Sequence, residues 1–168
     1  YKAQVHLKAG DRATALASLE SYLRAHPAED DPTLHYWLGR QHVYAGNNAR
    51  AEELMRGIIA NKPEFGRYHD AVKTLARSLR QQGRTDEVVA MLTEALEAHP
   101  GMRQVIKVYR ARASYLVELG RVDDAVASLE EAVVANPDSG YAGEAVYIAH
   151  RILAQENGLK STAAWLTA

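Results

Sequence analysis

Cysteine is absent from all 168 residues, which excludes disulfides, thiolate catalysis and cysteine-ligated zinc. Charge of one sign is missing as well: 20 Lys and Arg against 21 Asp and Glu leave a net −1. Nothing global therefore draws the chain to nucleic acid or to an anionic membrane. No stretch approaches the roughly 20 apolar residues that a membrane helix needs, so direct membrane insertion is not expected. No leader pattern opens the chain, and Tyr1 is not a methionine. Both ends read as helix, so the sequence reads as a piece of a longer protein. The compartment stays open between cytoplasm and periplasm.

Signatures of catalysis are scarce too. There is no phosphate-cradling glycine loop and no nucleophile elbow. The histidines (His6, His26, His35, His42, His69, His99 and His150) never stand four apart, as a helical zinc site requires. His26 and His99 precede prolines and suit helix ends, while His35 and His42 read as core-edge residues. The expectation is a protein that is not an enzyme and holds no metal or cofactor.

What the chain does have is periodicity. Glycines at Gly10, Gly46, Gly83, Gly120 and Gly158 stand 36, 37, 37 and 38 residues apart. Prolines at Pro27, Pro63, Pro100 and Pro137 each follow a glycine by 17 residues. The unit is constant and only the joint after the proline varies, as a tandem array requires. Alanine, leucine, valine, arginine and glutamate dominate, a mixture that favours helix.

Between the marks, apolar residues recur at three- and four-residue steps. Val88, Val89, Leu92, Ala95 and Leu96 predict a helix over 85–98. Ala125, Val126, Leu129, Ala132 and Val133 repeat the pattern, as do Ala15, Leu16, Leu19, Tyr22 and Leu23. Acidic residues after Gly83 and Gly120 suit a helix's first turn, and each proline forbids continuation. The pattern is helix, glycine turn, helix, proline stop.

This unit resembles the tetratricopeptide repeat, whose period is about 34 residues. The small residue five after the glycine is Ala15, Ala51, Val88, Ala125 and Ala163, and the large one nine after it is Leu19, Met55, Leu92 and Leu129. Tyr22, Ile58, Ala95 and Ala132 follow, then the proline. Leu38-Gly39 matches the family's Leu-Gly pair, whereas Arg112 and His150 replace its usual leucine. The expected units are 1–27, 32–63, 67–100, 102–137 and 140–168, the first and last truncated, in one array. The resemblance implies an all-α, right-handed superhelical solenoid of antiparallel helix pairs. A non-repetitive bundle fits five aligned glycines poorly. Pentatricopeptide repeats, which read RNA, fit poorly with the closing Asn-Pro or His-Pro and the absent basic excess.

By the same resemblance, first helices line an inner groove. There Tyr36, Trp37, Arg40 and Tyr44, then Lys73, Arg77 and Arg80, then Lys107 and Arg110 form a basic, aromatic-edged surface. Acids gather on the second helices, at Glu52, Glu53, Asp86, Glu87, Asp123, Asp124, Glu130 and Glu131. The expected partner is an acidic or carboxylate-bearing peptide or protein, held by a scaffold or adaptor. Secretion, envelope assembly and polysaccharide export are settings the resemblance implies, and an Ala/Arg-rich composition accords with a bacterial source. Of five positions in the family's carboxylate clamp for chaperone tails, only Lys107 matches, so that partner is not expected. The alternative is an effector-sensing repeat domain of a transcriptional regulator.

Overall fold

The computed structural model describes residues 12–26 and 30–157. Gly10, Pro27, Gly158 and Ala163 of the repeat pattern lie outside the described residues, as do both chain ends. Among the described residues there are eight helices and no strand: α1 (Arg12–Ala25), α2 (Pro32–Tyr44), α3 (Asn48–Asn61), α4 (Tyr68–Gln81), α5 (Thr85–Ala98), α6 (Ile106–Glu118), α7 (Val122–Ala135) and α8 (Ala142–Asn157). They fall into two compact units, one ending at Gly83 and the other beginning at Arg84.

The glycine and proline marks act as the spacing implies. Gly46, Gly83 and Gly120 hold φ of 78°, 75° and 73°, a left-handed turn that an L side chain resists. Lys62, His99 and Asn136, each before a proline, cap α3, α5 and α7 with φ of −135°, −136° and −140°. One joint is thus built three times. At the start of α2, Asp31 accepts a hydrogen bond from the Thr33 amide at 2.8 Å and Pro32 occupies the first turn, which needs no donor.

In the first unit, α2 packs against α1, α3 and α4, and α3 against α4. Leu38, Met55, Ala51, Leu75 and Leu79 form its core. A Cβ added at Gly39 would fall on the Met55 methyl, so glycine lets α2 and α3 close. In the second unit α6 packs against α5, α7 and α8, around Val88, Leu92, Ile106, Val108 and Leu129. The apolar faces expected in α5 and α7 are these buried faces, with Val133 only half-buried. In α1, Ala15 and Leu19 are buried while Leu16, Tyr22 and Leu23 are half-buried.

Candidate functional site

The first unit gathers seven of the nine residues expected to bind a partner. On α2 the Arg40 guanidinium lies 4.8 Å from the Trp37 ring centre, 5.5 Å from that of Tyr36 and 5.9 Å from that of Tyr44. It also donates to the Tyr44 hydroxyl at 3.4 Å. From α4, Arg77 approaches the Tyr44 ring at 5.9 Å. A small hollow between Arg40, Val43, Tyr44, Thr74 and Arg77 marks where the two helices meet. These cations rest on aromatic faces, where ring quadrupoles attract them without cancelling their charge.

Charge accounting separates this face from the arginines of α3 and of the starts of α5 and α7. Arg50, Arg56, Arg84 and Arg121 each pair with a carboxylate on their own helix or its first turn, at 2.7–2.9 Å. Arg40 and Arg77 have no carboxylate in ion-pair range among the described residues, and Lys73 has no ion-pair or hydrogen-bond partner there. Arg80 is exposed at the far end of α4.

The electrostatics agree with this. Burial works against the charge on Arg40, yet Tyr44 and Tyr36 outweigh it and raise the guanidinium's pKa. The Tyr44 phenol is pulled down, first by its bond from Arg40 and then by Arg77.

Two of the expected residues differ from expectation. Tyr36 is 3% exposed, wedged between Phe65 and the guanidiniums of Arg40 and Arg67, so it supports cations and does not offer a face as an anchor. Tyr44, at 45%, does offer one. In the second unit Arg110 is neutralised by Glu144 of α8 at 2.7 Å, and Lys107 stands 5.3 Å from the Tyr141 ring centre. Arg67, which the inward first-helix positions omit, belongs to the cluster: it precedes α4 and lies 5.6 Å from the Trp37 ring centre. The Phe65-Gly66-Arg67 sequence in the joint was its only signal.

The expected core-edge role of His42 holds. It is buried and bonds Glu20 of α1 at 2.7 Å, a carboxylate that Arg50 of α3 also reaches at 3.4 Å. Burial raises the Glu20 pKa, but the bonds from His42 and Arg50 outweigh it and the net shift is downward.

Paired helices on a repeated glycine–proline frame, carrying their distinctive side chains on the first helix of each pair, define a helical-repeat protein of the α-solenoid class. Models of the tetratricopeptide repeat match residues 2–64 and 39–137, and the chain belongs to that family of protein-interaction scaffolds. No curated protein matches the chain in sequence. Among solved structures, the nearly identical TPR-like repeats of a kinesin light chain from Podosopora anserina align with a TM-score of 0.72 at 16% identity, covering 98% of this chain and 88% of that one. MamA 41-end from Desulfovibrio magneticus RS-1 aligns at 0.65 and 16% identity over 98% and 87%. A thermophilic TPR protein of Thermus thermophilus aligns at 0.59 and 24% identity over 95% and 82%. At these identities the likeness is one of fold. Among the described residues, no helix is long and apolar enough to cross a membrane.

Proposed function

We propose that this chain is a non-enzymatic scaffold that holds an acidic protein or peptide against the first-helix face of its first unit. The observation carrying this reading is that Arg40 and Arg77 have no carboxylate in ion-pair range among the described residues and lie beside the half-buried Trp37 and the exposed Tyr44. Every arginine named above on α3 and at the starts of α5 and α7 has a carboxylate, so an excess of cations over anions does not explain the difference. A carboxylate arriving from a partner supplies the missing counter-charge, and a charge-assisted bond contributes about 1.5–3 kcal/mol. Trp37 and Tyr44 add the contact area that aromatic and arginine residues bring to interfaces. Arg110 is secondary to this face, because Glu144 already neutralises it, whereas Lys107 rests on the Tyr141 ring and keeps its charge as Arg40 does.

A fluorescein-labelled octapeptide of Asp, Glu and Gly tests the reading by anisotropy at low salt. Binding is expected to weaken about tenfold or more in Arg40→Glu/Arg77→Glu, with helical circular dichroism retained. Equal binding by that variant, or equal binding of a lysine-rich octapeptide, overturns it.

A further inference from the structure

The second and fourth helix pairs can be compared position by position on their turn glycines, Gly46 and Gly120. His35, Leu38, Leu54 and Gly57 then correspond to Tyr109, Arg112, Ser128 and Glu131. In the fourth pair these four side chains close the space between α6 and α7. Tyr109 is buried there, its hydroxyl donating to Glu131 at 3.1 Å and its ring 5.1 Å from the Arg112 guanidinium. In the second pair the corresponding space between α2 and α3 is a cleft of about 350 Å³. That lies in the range of small-ligand sites.

Its lining is specific. Leu54 and Ile58 form an apolar floor, His35 one wall and the backbone at Gly57 the other. A Cβ at Gly57 would meet nothing within 4 Å, so packing within the chain does not require glycine there. Glycine inside a helix costs about 1 kcal/mol relative to alanine, and its effect here is to leave the helix backbone bare toward the cleft. The charges at the rim are already matched, Asp30 by Lys62 and Glu53 by Arg50. A charged ligand gains no unpaired counter-ion. Asn61 donates to the Gly57 carbonyl at 3.0 Å, which leaves its own side-chain oxygen as an acceptor beside the opening.

From this we propose that the α2–α3 cleft binds an uncharged phenol ring, as a tyrosine side chain of a partner peptide or as a free phenolic molecule, in the place that Tyr109 fills in the fourth pair. The ring lies on Leu54 and Ile58 against Gly57, and its hydroxyl donates to Asn61 or Glu53. This site is separate from the Arg40–Arg77 face and does not depend on it.

The test is amide NMR of the whole chain titrated with p-cresol, toluene and N-acetyl-tyrosinamide. With p-cresol, the signals of His35, Gly57 and Asn61 are expected to move saturably, and toluene is expected to bind several-fold more weakly. Gly57→Leu fills the cleft with a good helix former, so it should melt no lower than the parent while p-cresol affinity falls about tenfold or more. Arg40→Glu/Arg77→Glu should leave the p-cresol titration unchanged, which separates failure here from failure of the acidic-partner reading. Tighter binding of N-acetyl-tyrosinamide than of p-cresol supports the peptide source, and the reverse order supports a free phenol. No movement at Gly57 and Asn61, or an unaltered titration in Gly57→Leu, overturns the proposal.

Discussion

Arg112 of α6 donates from Nε to the Ser128 hydroxyl of α7 at 2.8 Å, and both residues are buried. A guanidinium so placed is tolerable only with its donors satisfied, and Glu131 takes a second one. The family's usual leucine is replaced here by a polar lock between two helices.

That lock predicts an asymmetry between single and double substitutions. Arg112→Leu alone should destabilise by about 1–3 kcal/mol, because Ser128 and Glu131 lose their donor. Arg112→Leu with Ser128→Leu copies the Leu38 and Leu54 of the second pair. It should recover most of that loss or exceed it, since apolar replacement of a buried ionic group is often neutral or stabilising. Urea midpoints of the three proteins decide it, and additive losses would contradict the account.

Leu129 is fully buried in α7. Leu129→Ala should cost about 2–5 kcal/mol through lost burial and the cavity left behind. A negligible change in denaturation midpoint would mean that the repeat register is misplaced.

The Glu20 carboxylate ties α1 to His42 and Arg50, and its pKa in the folded chain is below its ordinary value. Its contribution is therefore complete above the unfolded glutamate pKa and is lost as pH falls through the lower folded value. Thermal midpoints recorded from about pH 6 down to about pH 3 should fall more steeply for the parent than for Glu20→Gln. Parallel curves would show that the carboxylate contributes nothing to stability.

Pairing also predicts which arginines matter for partner capture. Arg56→Glu disrupts the pair with Glu52 on α3 and should leave acidic-peptide binding within about twofold of the parent. Arg77→Glu alone should weaken it markedly, and raising salt should erode the parent's binding because the contact is exposed and ionic. Equal effects of the two substitutions, read by anisotropy, would remove the distinction between paired and unpaired cations.

Much of this molecule was legible in its sequence because the information is local. A turn needing positive φ selects Gly46, Gly83 and Gly120, and a stop before proline ends α3, α5 and α7, wherever those residues sit in space. The helix over 85–98 follows from five apolar residues on one face and needs no knowledge of what that face meets. The site was legible only in outline. Inward positions identify Arg40 and Arg77, but sequence spacing does not distinguish a guanidinium resting on a ring from one, like Arg110, that a carboxylate on another helix neutralises. Nor does it distinguish the buried Tyr36 from the exposed Tyr44.

The sequence by itself determined the helices, the spacing of the repeat and the resemblance to the family, since each rests on residue types at fixed intervals along the chain. Tertiary structure alone decided which charges are left without partners and where space stays open. The Glu144 that meets Arg110 is 34 residues away by number. The cleft beside Gly57 exists because two helices come together around a missing side chain. Long-range juxtaposition sets both, and periodicity carries no record of it.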